Sequence, residues 1–62
     1  MSNAIEVIDG HEPGKYRVRR IVNGCGKYTA ADMDGATALR IAKAWYQVFR
    51  MPVYAPIELL SV

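Results

Sequence analysis

Lys15-Tyr16-Arg17-Val18-Arg19-Arg20-Ile21-Val22-Asn23-Gly24-Cys25-Gly26-Lys27-Tyr28 is the stretch on which the fold turns. Tyr16, Val18 and Val22 fall on one face of an extended chain, and Arg17 and Arg19 on the other. That alternation is the mark of a half-buried strand. Asn23-Gly24-Cys25-Gly26 then offers residues that accept positive φ, as a tight hairpin requires. The returning strand is expected over Lys27–Ala31. Loops of two, three or four residues all satisfy the sequence, and a one-residue change moves Tyr28 to the opposite face.

A helix is expected downstream over residues 34–50. Asp34 is placed to cap it, and Asp32 to add negative charge near the positive end of its dipole. From Ala36 to Arg50 the residues are good helix formers without internal Gly or Pro. Ala38, Ile41, Ala42, Trp45, Tyr46, Val48 and Phe49 share one broad half of the cylinder. Arg40, Lys43, Gln47 and Arg50 form a separate stripe, a secondary basic surface. Met51-Pro52 stops the helix, because the residue before proline avoids the α region. Residues 53–60 return to strand composition, and Pro56 confines that strand to an edge.

Upstream, Ile5-Glu6-Val7-Ile8 is a short β-branched run that suits an extra strand, closed by a turn-rich segment, Asp9 to Gly14. The expected fold is therefore α+β: a two-layer ββαβ module with an antiparallel hairpin, one amphipathic helix and a C-terminal edge strand. The final strand is expected beside Lys15–Val22 and antiparallel to it, giving a sheet with that strand in the middle. One sheet face would then hold the helix, and the other would face a partner.

The chain has 62 residues, 52% of them apolar and 23% charged, with a net charge of +2. That composition excludes a disordered tail, and the length allows a single domain, residues 1–62. No run approaches the roughly 20 apolar residues of a membrane span, and the N-terminal segment lacks the basic and apolar regions of a secretory signal. Cys25 is the sole cysteine, so no intrachain disulfide can form. Small secreted domains usually depend on such bridges, which makes a reducing cytoplasm the expected compartment.

The charges are segregated. Residues 1–14 hold Glu6, Asp9 and Glu12 and no cation, a local charge of −3. Residues 15–27 hold Lys15, Arg17, Arg19, Arg20 and Lys27 and no acid, a local charge of +5. Residues 28–62 balance. The basic hairpin, 15–31, with Tyr28 beside it, is thus the candidate partner-binding surface. It offers Arg for bidentate pairing with an acidic protein, or phosphate contacts with an aromatic for stacking on a base. A solvated sheet face partly covered by the acidic segment 1–14 accounts for the same residues.

Catalysis finds little support. His11 and Cys25 lie in separate loops, with no third group placed to orient a base. Asp32 and Asp34 are explained by capping. Asp9, His11 and Glu12 lack the four-ligand spacing of a structural zinc site, and the glycines after Asn23 lead into no helix that would make a phosphate cradle. Neither an enzyme nor a cofactor is expected.

Pro13-Gly14-Lys15-Tyr16-Arg17-Val18, the glycine hairpin, and Gly35-Ala36-Thr37-Ala38-Leu39-Arg40-Ile41-Ala42-Lys43-Ala44-Trp45 together resemble small phage and mobile-element proteins, among them anti-CRISPR inhibitors of type I systems. The resemblance covers residues 13–45 and is compositional. It implies action without catalysis, by occupying a surface of a host protein or nucleoprotein complex. A second resemblance joins Tyr16-Arg17-Val18-Arg19-Arg20 and Gly26-Lys27-Tyr28-Thr29-Ala30 to the sheet-based DNA-binding modules of integrases and plant-type transcription factors. That family places three strands before its helix and implies nucleic-acid binding through the sheet.

Val53, Ile57, Leu59, Leu60 and Val62 add more apolar surface than one helix on three strands can cover. A homodimer or constitutive complex using residues 53–62 is expected, unless Ile5–Ile8 folds back and absorbs the excess.

Overall fold

The computed structural model describes residues 3–29 and 31–60. It is an α+β fold: a four-stranded mixed sheet carries one long helix on one face. The elements run β1 (Ala4–Asp9), β2 (Tyr16–Val22), β3 (Cys25–Tyr28), α1 (Gly35–Phe49), β4 (Val53–Tyr54) and α2 (Ile57–Leu60). No helix among the described residues is long and apolar enough to cross a membrane.

The hairpin closes with a two-residue loop. Asn23 and Gly24 both take positive φ, 51° and 84°, and Val22 pairs with Cys25. This is the backbone that a primed hairpin turn requires, and Asn-Gly supplies it at low cost. The Asn3 side chain accepts a hydrogen bond from the Asn23 N–H at 2.9 Å and ties the N-terminal segment to the turn. The return strand begins at Cys25, two residues before the expected Lys27, and ends at Tyr28. Of the rest of the expected strand, Ala30 lies outside the described residues and Ala31 is in a bend. Met33 rejoins the sheet beside Tyr16, with mutual backbone hydrogen bonds of 2.8 and 2.9 Å.

The sheet order is β3-β2-β1-β4. The C-terminal strand does not pair with β2, as the sequence suggested. It runs opposite to β2 but sits one place further out, parallel to β1, with Ile5 opposite Val53 and Glu6 opposite Tyr54. The reason is burial. Ile5 and Val7 are almost wholly inaccessible, so their strand takes the interior position next to β2. β4 is also shorter than expected. Pro56 follows after two strand residues, and Ile57–Leu60 form a helical turn in place of a continued strand. Proline lacks the N–H a ladder needs, yet suits the start of a helix.

Helix α1 begins and ends as its sequence dictates. The Asp34 carboxylate accepts the Thr37 N–H at 2.7 Å, a bond that also lowers its pKa. Arg50 takes a left-handed conformation, φ 56°, and donates its N–H to the Tyr46 carbonyl. The chain then passes through Met51-Pro52 into β4. Ala38 and Ala42 are the fully buried helix residues, which lets the backbone approach the sheet closely. Ile5, Val7, Val18, Ala38, Ala42 and Met51 make the core, with Trp45, Ile41, Leu39 and Leu59 packed at its margin. Part of the expected apolar half of the helix stays outside: Val48 is 72% exposed, and Tyr46 and Phe49 are also on the surface. At the helix start, a methyl group on Gly35 would lie 2.5 Å from Leu59, so the missing side chain is what seats α2 against α1.

The same substitution at two isoleucines tests this core. Ile5→Ala should cost about 2–5 kcal/mol, the usual loss for a fully buried isoleucine. Ile57→Ala should change stability by less than about 0.5 kcal/mol, as at other exposed positions. Urea unfolding followed by Trp45 fluorescence reads both, and equal effects would contradict the placement of β1.

Candidate binding face

The register divides the basic hairpin between two surfaces. Arg17, Arg19 and Tyr28 point away from α1, in register with Ile8, Glu6 and Arg19 respectively. Arg20 lies on the helix side, in register with Lys27 on one flank and Ile5 on the other. Lys15 lies before β2 in the exposed β1–β2 loop. Six residues grouped by sequence are therefore three on the open face, two on the helix face and one at an end.

Each arginine has an internal partner. Arg19 donates from Nε to Glu6 Oε1 at 2.7 Å, and a second guanidinium nitrogen completes the ion pair. Its Nη1 also reaches the Tyr28 hydroxyl at 3.3 Å, and the guanidinium lies 5.8 Å from that ring. The hydrogen bonds to Tyr28 and Glu6 raise the Arg19 pKa above its ordinary value. Arg17 donates from Nε to Asp32 Oδ1 at 2.6 Å. Arg20 lies over aromatic faces, 4.4 Å from the centre of Phe49 and 5.3 Å from that of Trp45. It closes the core edge as a cation–π lid.

Asp32 has a different role from the one expected. It caps nothing; its two oxygens accept the N–H groups of His11 and Glu12 at 3.1 and 2.7 Å, besides Arg17. A side chain on Gly10 would collide with this carboxylate, its Cβ falling 2.6 Å from the Asp32 carboxyl carbon. Asp32 thus holds the β1–β2 loop to β2. The contacts span 15 to 21 residues, so no local pattern announces them.

Across the open face, Tyr28, Arg19, Glu6 and Tyr54 form one transverse row, one residue from each strand. Ile21, Ile8 and Arg17 flank it, and the tyrosines at its two ends are 55% and 59% exposed. Between them, Arg19 and Glu6 are partly exposed. The basic helix stripe is dispersed by comparison. Arg40 and Lys43 are exposed, and Arg50 lies 5.6 Å from the Tyr46 ring at the helix end.

The catalytic and metal candidates stay apart. His11 belongs to the loop at one end of β2, and Cys25 follows the turn at the other. A strand of that length separates such ends by about 20 Å. Among the described residues, no three His, Cys, Asp or Glu side chains converge to hold a metal ion. No protein-family model, curated protein or solved structure matches the chain.

The Asp32 clamp has a pH signature. Hydrogen bonds from Arg17, Glu12 and His11 lower its pKa from 3.8 to about 2. A carboxyl depressed in the folded state contributes stability that is complete above its ordinary value and is lost as pH falls through the folded one. The wild type should therefore lose stability between pH 3.8 and about 2 more steeply than Asp32→Asn. The variant should also exchange the His11 and Glu12 amide protons faster at neutral pH. Identical acid limbs and unchanged amide exchange would refute the clamp.

Proposed function

We propose that the chain is a small non-enzymatic binding module that docks a protein surface on its open sheet face. The observation that carries this reading is the uncovered row Tyr28–Arg19–Glu6–Tyr54 with Ile8 and Ile21 beside it. Exposed tyrosines around an arginine held in fixed geometry are the composition of a protein interface. The arginine already has a carboxylate partner, so its charge is offset and its planar fork is pre-oriented. The resemblance at residues 13–45 supplies the partner class: a host protein or nucleoprotein complex whose surface is occupied, as by a phage or mobile-element inhibitor of the anti-CRISPR type. A reducing cytoplasm suits the lone exposed thiol of Cys25.

Sheet-mediated nucleic-acid binding is the second reading, and one observation favours it. Three antiparallel strands precede α1, the order the DNA-binding modules share. Against it, Glu6 and Asp32 neutralise the two arginines of that face, and Arg20 and Lys27 lie on the other.

Tyr28→Ser with Tyr54→Ser tests the first reading without touching the core, since both rings are mostly exposed. The double variant should keep its fold and lose a partner that the wild type captures from host lysate. Replacing Arg17, Arg19 and Arg20 with Ser is a harsher probe. It strands Asp32 and Glu6 and uncovers Trp45, so it should also lower stability. Anisotropy with generic duplex DNA separates the readings: a steep fall in affinity with salt marks phosphate contacts. No binding at low salt would remove the nucleic-acid reading, and full partner binding by the folded tyrosine variant would remove the protein one.

A further inference from the structure

A second uncovered surface lies on the opposite side of the molecule from the tyrosine row. Leu39, Ala42, Tyr46, Val53, Ala55 and Leu60 line a groove of about 400 Å³ between α1, β4 and α2, with Lys43 and Gln47 on its rim. The β1 strand has joined the sheet, yet it leaves this surface open: Leu60 remains 63% exposed and Ile57, beside the groove on α2, 79%.

We propose that the groove seats a second copy of this chain, in a two-fold pair where α2 of each protomer packs against the groove of the other. Three features select this occupant. The chain carries both halves of the contact: a concave apolar groove, and on the α2 turn that borders it the exposed side chains of Ile57 and Leu60. An isologous interface needs that self-complementarity. The charges match as well. Lys43 sits on the groove rim and Glu58 on α2, and neither has an ion-pair partner among the described residues. In a two-fold pair, Glu58 meets the partner subunit's Lys43 twice over, and the interface carries no net charge from them. Thirdly, a small apolar ligand in the groove would leave Ile57, which is not part of its lining, in water; a second chain covers both.

The groove patch is smaller than the roughly 20–30 residues a side of a standard interface. The pair is therefore weak, with dissociation in the micromolar to millimolar range, about 10⁻⁶–10⁻³ M.

Sedimentation equilibrium up to roughly 1 mM covers that range. The mass of the wild type should rise with concentration from 6.9 kDa towards twice that value. Ile57→Glu with Leu60→Glu should stay at 6.9 kDa with an unchanged circular dichroism spectrum. Lys43→Glu and Glu58→Lys should each weaken association about tenfold, and the double charge swap should restore it. A wild type that remains at 6.9 kDa throughout overturns the proposal, including where the groove instead takes up anilinonaphthalene sulfonate. Wild-type association by the double-glutamate variant, or a swap that fails to rescue, overturns it too. Tyr28→Ser with Tyr54→Ser should associate like the wild type, so this result and the open-face reading stand or fall separately.

Discussion

The antiparallel ladder between β1 and β2 is the constraint on which the rest depends. It is the longest pairing in the molecule, from Ala4 opposite Ile21 to Asp9 opposite Tyr16. On the helix side it brings together Ile5, Val7 and Val18, the residues that Ala38 and Ala42 cover. On its outer side β1 gives β4 its strand neighbour among the described residues. β4 runs parallel to β1, and a parallel pair requires a crossover, here made by everything from β2 through α1. The N-terminal strand therefore precedes the crossover in sequence but receives its last partner only when the helix has been laid down.

The same ladder resolves the charge pattern. In sequence the acidic segment 1–14 and the basic segment 15–27 are adjacent blocks of opposite sign. Folding the first back along the second sets Glu6 opposite Arg19. Asp32 arrives from beyond the hairpin to meet Arg17. Partly exposed pairs of this kind, still reached by solvent, contribute modestly to stability one by one. Their effect here is directional: they hold two guanidinium planes in place on the open face and prevent that face from presenting bare positive charge. A strand that reads as a phosphate-binding surface is, once folded, close to neutral and lined with tyrosine.

Local signals were readable from local chemistry. Asn23-Gly24 accepts positive φ, Asp34 caps α1, and α1 stops at Phe49, just before Met51-Pro52. Long-range placements were not. Ile5-Glu6-Val7-Ile8 is too short for its period to reveal whether it lies at an edge or at the centre, and only the pairing on both sides answers that. Residues 53–60 have the composition of a strand, but Pro56 interrupts the ladder and Glu58, Leu59 and Leu60 are good helix formers. The alternation of β2 places Arg17 and Arg19 on the face away from Val18, as its period predicts. Arg20 escaped because its role depends on Trp45 and Phe49, more than twenty residues away and meaningful only after α1 has docked. The strand's own period thus sets the hairpin cations on two faces, Arg17 and Arg19 on one and Arg20 and Lys27 on the other.

A sheet of four strands with one long helix has more surface than it can bury, and the two uncovered regions differ in chemistry. The open face carries hydroxyl-tipped aromatics around fixed ion pairs, groups that tolerate water when no partner is present. The groove between α1, β4 and α2 is lined mostly by aliphatic side chains, Leu39, Ala42, Val53, Ala55 and Leu60, which do not. Water therefore opposes the free state of the groove far more than that of the open face. A surface exposed for part of its life is better built like the first, and one covered whenever concentration allows is better built like the second. The division follows from the period-2 alternation of β1 and β2 on one side and from Pro56 on the other. By ending β4 after two residues, Pro56 turns Ile57 and Leu60 outward on a helical turn instead of leaving them in an edge strand.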